Sequence, residues 1–329
     1  MNLTRTASAV SLLVVGLGLA VVSGSALGAT VAWWRFQEGV PNEVATGTNT
    51  IIDCANGFNG TPVGGPVYVS VKIPNGSPTT SLGLIFDGVA ARVFIEDNPA
   101  FYLTNSLTLE AFIRYVGEPT GGQMSQIIMR GDDRIGLDPY FLALDPNGAL
   151  GFGVEPEVPD TVSWLVSPLP VARNVFLHVA GTLDGVTGQQ KLYINGQEVA
   201  STNTTLRPLG RLDPSQNPGL GIGNVQSPNY NEYFNGIITE ARISDVALDP
   251  RQFLFAPCII GEVAPTTNGV RIGWTSLTNW HYQVQWTPEP SPASWSAVGP
   301  VMSGNGTTNH FFDARGTNTS RFYRVEVLP

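Results

Sequence analysis

Glycine and proline are spread so densely along this chain that long helices are disfavoured throughout. The 329 residues include 37 glycines and 25 prolines, and both residue types interrupt helices while suiting the turns between short strands. Only 13% of the residues are charged and 9% are aromatic, a balance that also favours strands. Coiled coils and helical bundles are therefore excluded, and we expect an all-β protein.

Several local patterns support this expectation. Residues 107–115 alternate apolar and polar side chains, as a half-buried strand does, with Phe112 breaking the polar side. Residues 191–194 and 197–200 flank Asn195-Gly196, a pair that readily adopts the positive φ angles of a type I′ hairpin turn. One helical turn is predicted at Asp249-Pro250, since Asp caps helices and Pro suits their first position. An antiparallel sandwich fits these elements.

The chain divides into two compositional halves. Its length suggests two domains, or one large β domain with an appendage. Residues 259–329 hold four of the seven tryptophans. That segment contains equal numbers of arginines and acidic residues, so the chain's excess of negative charge lies in the residues before it. We predict a large domain over residues 30–257 and a small β-sandwich module over residues 258–329.

Residues 1–29 have the order of a secretory signal peptide. Arg5 precedes an apolar stretch, and a run of small residues follows with candidate cleavage sites after Ala26, Gly28 or Ala29. A permanent membrane anchor is the open alternative. The mature protein is expected to span no membrane and to be secreted or held at the cell surface.

Export changes how the two cysteines are interpreted. In an oxidising compartment Cys54 and Cys258 can form one intramolecular disulfide, which we favour. Two free buried thiols remain the alternative.

The charge balance argues against nucleic acid as a partner. The formal net charge is -9 at pH 7, and the only lysines are Lys72 and Lys191. The chain therefore lacks the basic patch that binds phosphate backbones.

Residues 30–257 carry an ordered series of segments that resembles a known family. The strongest are residues 176–185 (FLHVAGTLDG), 191–196 (KLYING) and 233–244 (YFNGIITEARIS), after weaker matches at 31–39, 52–60, 85–88 and 106–115. In order and spacing they are similar to bacterial laminin-G-like, concanavalin A-like domains. The resemblance implies a jelly-roll sandwich, and within it His178 as a hydrogen-bonded core residue. The last 70 or so residues more weakly resemble a small β module that ends many secreted bacterial proteins.

The resemblance also implies a structural calcium ion. By the resemblance its ligands would be Glu38, Asp53 and Glu240, with backbone carbonyls near Asn56 and Asn59, in line with the oxygen ligands that calcium prefers. The family more often has Asp where Glu240 stands. The alternative is that no calcium binds and that these three are ordinary turn residues and a surface acid.

Sandwiches of this kind usually bind ligands through loops or a concave face, where aromatic rings stack on sugars. The candidate rings are Tyr140, Trp164, Tyr230 and Tyr233. Packing in the core or against loops is the alternative for each of them.

No catalytic motif stands out. The acids of residues 155–160 have a spacing near that of retaining glycosidases, but Pro156 and Pro159 argue for a loop. We expect a secreted, non-enzymatic glycan-binding or adhesion protein whose partner is an extracellular glycan or surface polymer. A carbohydrate-active enzyme and a structural cell-surface protein are the alternatives.

Overall fold

The computed structural model describes residues 30–73, 81–118, 123–134, 136–158, 161–224, 231–255, 260–276, 281–289, 294–305, 307–314 and 320–328. Residues 1–29, Tyr230 and Cys258 lie outside these ranges. The described chain is almost entirely β, which confirms the fold class. Its helices are two short 3-10 turns, Pro99–Phe101 and Pro250–Gln252. In these ranges no helix has the length and apolarity needed to cross a membrane.

Residues 30–244 form two antiparallel sheets. Sheet I has eight strands, which are β1 (Thr30–Trp34), β3 (Val67–Ser70), β4 (Leu82–Asp87), β6 (Leu107–Tyr115), β11 (Phe176–Leu183), β12 (Gln189–Ile194), β13 (Gln197–Asn203) and β15 (Asn235–Ser244). Their order across the sheet is β13-β12-β11-β6-β15-β4-β3, and β1 also pairs with β15.

Sheet II faces sheet I across the core. It has seven strands, which are β2 (Thr61–Val63), β5 (Arg92–Glu96), β7 (Ser125–Gly131), β8 (Tyr140–Leu144), β9 (Ala149–Val154), β10 (Ser163–Pro170) and β14 (Gly219–Ile222). Their order is β10-β9-β8-β7-β14-β5-β2. The chain crosses repeatedly between the sheets, which agrees with the expected jelly roll.

One apolar core fills the space between the two sheets. Trp34 is fully buried in it, and its indole Nε1 donates to the Phe58 carbonyl at 2.8 Å. Trp33 lies on the opposite side of β1, where the Arg35 guanidinium sits 5.0 Å from its ring centroid. Adjacent residues of a strand face opposite ways, and this places Trp34 inside.

Local sequence signals positioned several elements correctly. Strand β6 spans the predicted residues, and the hairpin turn has φ values of 50° at Asn195 and 72° at Gly196. The Asp249 carboxylate accepts from the Arg251 backbone N–H at 3.0 Å, and the Gln252 side chain accepts from the Asp249 N–H at 3.1 Å. These contacts confirm the predicted hairpin and helical turn.

The outer face of sheet I is covered around Glu110 by the segment that follows β15. The Glu110 carboxylate accepts from Arg242 Nε at 2.6 Å and from the Leu254 N–H at 2.8 Å, and His178 Nε2 lies 2.8 Å away. Glu110 and His178 are fully buried, which confirms His178 as a hydrogen-bonded core residue. Burial alone would raise the pKa of Glu110, but Arg242 and His178 more than offset it and hold that pKa below its usual value.

Residues 260–328 form two smaller sheets with their own core around Trp274 and Tyr282. One contains β16 (Ile260–Thr266), β17 (Gly269–Thr275) and β21 (Thr308–Asp313); the other contains β18 (His281–Thr287), β19 (Ser296–Ala297), β20 (Met302–Ser303) and β22 (Phe322–Leu328). Residues 256–259 lie outside the described ranges, so the domain boundary near residue 257 stays a prediction.

Candidate functional site

The outer face of sheet II carries a row of residues that crosses six strands. Strand register places them side by side in the order Phe94, Gly221, Met129, Phe141, Gly153 and Trp164. Their chain neighbours, such as Leu142 and Leu220, belong to the core. Because side chains alternate along a strand, the row itself faces outward.

Two glycines of β9 allow aromatic rings to lie flat on this face. A Cβ atom on Gly153 would come within 2.2 Å of Phe141 Cζ, and one on Gly151 within 2.0 Å of Trp164 Cη2. The two rings stack with centroids 5.2 Å apart and an interplanar angle of 27°. Phe141 is buried by this packing while Trp164 remains partly exposed. We call this arrangement of Phe141 and Trp164 over Gly151 and Gly153 the Trp164 platform.

Carboxylates and an amide flank the Trp164 platform. Gln126 pairs with Ala143, two residues from Phe141 on β8, and its Nε2 donates to Glu232 Oε2 at 2.8 Å. Burial raises the pKa of Glu232 despite this hydrogen bond.

A second acidic group lies at the opposite end of the same strands. The Asp138 backbone N–H donates to Glu155 Oε2 at 2.8 Å. Burial raises the pKa of Asp138 well above its usual range, and the charges of Glu155 and Glu232 raise it further. The platform therefore has hydrogen-bond acceptors on both sides.

Among the predicted ligand residues that the structure describes, Trp164 belongs to the outward-facing row of sheet II. The prediction for Tyr140 is wrong, because its ring is fully buried between the sheets and its hydroxyl donates to the Phe101 carbonyl at 3.0 Å. Tyr233 exposes 7% of its surface, so its ring is covered as well. Tyr230 lies outside the described residues.

Asp53, a predicted calcium ligand, holds together the loop that follows it. Its Oδ1 accepts from the N–H groups of Trp33 at 2.7 Å and Ala55 at 2.9 Å, and its Oδ2 from those of Asn56 at 3.1 Å and Phe58 at 2.9 Å. Both oxygens are thus committed to backbone donors.

The other two predicted ligands have separate partners. Tyr68 donates its hydroxyl to Glu38 Oε1 at 3.2 Å, and Arg35 Nε lies 3.7 Å from Glu240 Oε1. Burial raises the pKa of Glu240 to about 7, although Arg35 lowers it. Among the described residues, no three His, Cys, Asp or Glu side chains are grouped so that they could hold a metal ion. In this arrangement Glu38, Asp53 and Glu240 do not fit a calcium ion, which takes about six to eight converging oxygens.

Cys54 is exposed in the turn after Asp53. Partial desolvation of its sulfur still raises the pKa of the thiol, and Arg35 partly opposes this shift. Because Cys258 lies outside the described residues, the disulfide stays a prediction.

Two clefts elsewhere on residues 30–255 present no free aromatic face. One, of about 220 Å³, is lined by Phe58, whose ring packs on Phe101 at 5.0 Å. The other, of about 270 Å³, is lined by Tyr193, whose ring packs on Phe253 at 5.1 Å. The Trp164 platform, by contrast, presents a partly exposed aromatic ring.

Comparison with known proteins supports the fold. A family described as the concanavalin A-like lectin/glucanases superfamily matches residues 87–252, about half of the chain. No curated protein matches the sequence.

Several solved structures are similar at low identity. Domain 4 of AbnA, a GH43 extracellular arabinanase from Geobacillus stearothermophilus in complex with arabinotriose, is 19% identical over 68% of this chain and 96% of its own, with a TM-score of 0.46. The Ruminococcus gnavus IT-sialidase CBM40 bound to α2,3 sialyllactose is 16% identical over 56% of this chain and 94% of its own, with a TM-score of 0.40. A mutant Trypanosoma rangeli sialidase displaying trans-sialidase activity is 16% identical over 69% of this chain and only 32% of its own, with a TM-score of 0.44.

Proposed function

The chain belongs to the concanavalin A-like lectin/glucanases superfamily, and from that premise we propose that it is a secreted, non-enzymatic protein that binds an extracellular glycan on the Trp164 platform. One observation carries the proposal. The ring of Trp164 is partly exposed, and its packing on Phe141 and Gly151 holds it flat against sheet II. A rigid aromatic face of this kind stacks on the apolar face of a sugar ring.

The polar neighbours fit the same role. Sugars present hydroxyl groups around their apolar faces, and the carboxylates of Glu232 and Glu155 flank the platform as hydrogen-bond acceptors. In known ligand sites a few placed polar groups fix the orientation of a ligand that apolar contacts hold. The small C-terminal module would act as a spacer or a second contact.

A glycan array probed with the purified mature protein tests this proposal. We expect hits that Trp164→Ala weakens about tenfold or more, since truncating a central aromatic anchor removes much of the binding energy. Trp295→Ala is the matched control, because Trp295 is a partly exposed tryptophan of the C-terminal unit. Thermal unfolding of Trp164→Ala and Trp295→Ala at the wild-type temperature would show that both variants are folded. Equal glycan binding by wild type and a folded Trp164→Ala variant would contradict the proposal.

One observation favours hydrolysis of the bound glycan as a second candidate function. The raised pKa values of Asp138 and Glu232 would suit a general acid beside a sugar site. Release of reducing ends from the best array ligand separates the candidates. A binding protein releases none above the buffer control, whereas release that Asp138→Asn abolishes would establish the enzyme.

Secretion and the disulfide belong to the same proposal. The intact mass of the exported protein should correspond to cleavage after Ala26, Gly28 or Ala29. It should also rise by the mass of two hydrogens on reduction of a Cys54–Cys258 bond. An uncleaved N-terminus would favour the membrane-anchor alternative.

A further inference from the structure

We propose that a cleft near the opposite edge of sheet II from Trp164 is a second carbohydrate site, which binds one neutral sugar unit through its hydroxyl groups. This inference goes beyond the proposed function, because the cleft has its own residues and can be tested in a variant that lacks the Trp164 ring.

The cleft lies between the loop that joins β1 to β2 and the end of β5. Its volume of about 220 Å³ suits a single sugar ring, since sites for drug-sized ligands measure about 300–1,000 Å³. The half-buried ring of Phe58 provides an apolar surface in it. Its polar lining residues are Asn49, Asn59, Glu96, Asp97 and Asn98. We call this feature the Asn59 cleft.

Three asparagines of the Asn59 cleft use their amide oxygens inside the protein. Asn59 Oδ1 accepts from the Asp53 N–H at 3.0 Å, and Asn98 Oδ1 accepts from a backbone N–H of the following 3-10 turn at 3.0 Å. Asn49 Oδ1 accepts from the Thr61 hydroxyl at 3.3 Å. Within the described ranges, no residue accepts a hydrogen bond from the three NH2 groups. These groups are therefore available to donate to a ligand.

Two carboxylates of the same cleft supply acceptors. Glu96 is exposed at the end of β5, and none of the described residues donates a hydrogen bond to its carboxylate. Asp97 accepts two hydrogen bonds from the buried Arg130, from Nε to Oδ1 at 2.8 Å and from Nη2 to Oδ2 at 3.2 Å. This pair fixes the Asp97 carboxylate, and each of its oxygens keeps a second lone pair for a ligand.

The mixture of donors and acceptors fits a neutral sugar. A sugar hydroxyl both donates and accepts, so neighbouring hydroxyls can be met by an amide NH2 and a carboxylate together. An anion is disfavoured, because the lining residues that the structure describes include two carboxylates and no lysine or arginine. A metal ion is also disfavoured, since the described residues contain no group of three His, Cys, Asp or Glu that could hold one.

Strand order separates the Asn59 cleft from the Trp164 platform. Trp164 lies on β10 at one edge of sheet II, whereas β5 pairs with the strand at the other edge. Five strand spacings of about 4.8 Å place the two sites about 24 Å apart. A small saccharide cannot reach both, so the cleft should bind sugar independently of Trp164.

The test applies Trp164→Ala protein to the glycan array. We expect residual signals from neutral glycans, which should fall about tenfold or more when Asn59→Asp or Asn98→Asp is added. Each substitution keeps an oxygen for the backbone N–H but replaces the NH2 donor by a second acceptor at nearly constant shape. Because Asp caps a helical turn as well as Asn does, Asn98→Asp should unfold at the wild-type temperature. Asn203→Asp, the same change at an exposed residue of β13, is the matched control.

Free sugars provide a second readout. In Trp164→Ala protein, the side-chain NH2 resonances of Asn59 and Asn98 should shift saturably as methyl glucoside, methyl galactoside or methyl mannoside is added. Resonances that none of these sugars moves would overturn the second site, and so would residual array signals that both Asn→Asp changes leave intact. Neither result touches the Trp164 platform. Array signals that Trp164→Ala leaves unchanged but Asn98→Asp abolishes would instead overturn the proposed function and retain the second site.

Discussion

The indole of Trp164 lies directly over Gly151, so closely that a Cβ atom at residue 151 would come within 2.0 Å of the ring. Phe141 stands in the same relationship to Gly153. Each aromatic ring thus occupies space on β9 that any side chain larger than that of glycine would fill. The platform depends on these glycines as much as on the rings.

Substituting the two glycines should separate binding from stability. In Gly151→Ala the partly exposed Trp164 ring can swing away, so we expect glycan affinity to fall about tenfold with little change in unfolding temperature. In Gly153→Ala the buried Phe141 must move, which should also cost about 1–3 kcal/mol of unfolding free energy. Gly261→Ala, where an added Cβ meets no atom within 4 Å, is the control. Calorimetric titration and thermal unfolding measure both effects, and wild-type affinity in Gly151→Ala would contradict the role given to Trp164.

The buried Glu110 should be critical for stability. Glu110→Gln leaves Arg242 without its carboxylate partner in a covered site, and breaking such a pair costs about 3–5 kcal/mol. Glu198→Gln breaks the more exposed pair with Lys191 and should cost less than about 1 kcal/mol. Because the pKa of Glu110 is lowered on folding, its contribution is present above the unfolded pKa and is lost as the pH falls through the folded value. Similar unfolding free energies for both variants in urea would show that the Glu110 network is unimportant.

Glu240 should make the domain less stable as the pH rises. Its pKa increases from 4.5 to about 7 on folding, so the folded state binds the proton more tightly than the unfolded state does. The stability that this provides is full below the unfolded pKa and is lost as the pH rises through about 7. At pH 8 the cost is about 3 kcal/mol, and Glu240→Gln should remove it. Denaturant unfolding at pH 5 and pH 8 checks the prediction, which fails if wild type and variant show the same change with pH.

Divalent cations should not stabilise this protein through Asp53. Since its two oxygens accept four backbone N–H groups, we expect EDTA to leave the unfolding temperature unchanged. Asp53→Asn should cost about 1–3 kcal/mol by weakening those hydrogen bonds, with no recovery on adding calcium. A drop of several degrees on chelation, reversed by calcium, would restore the metal site that the family resemblance implied.

The parts of the fold that local chemistry determines could be predicted from the sequence. Asn195-Gly196 fixes its hairpin through two backbone angles, and Asp249 caps its turn through its own side chain. Trp164 could be proposed as an exposed ring because its surroundings in the sequence are partly polar.

The rest of the site depends on contacts between distant segments. Strand β8 is buried on both faces, so no polar alternation indicates that Phe141 faces outward and Tyr140 inward. Gln126 and Glu232 are 106 positions apart, and only folding brings them together. Glu110 occupies the polar side of an alternating strand, yet it is buried because a later segment covers it. The sequence signal that could have indicated this face is the pair Gly151 and Gly153 in β9, because two glycines on one side of a strand leave room for aromatic rings to lie flat on it.

The most direct measurement is an NMR titration that follows the indole N–H resonances of the tryptophans as the glycan that gives the strongest array signal is added. We expect the Trp164 resonance to shift in proportion to occupancy while that of Trp295 stays in place. Saturable shifts at other residues with an unmoved Trp164 resonance would contradict the claim that this ring carries the glycan.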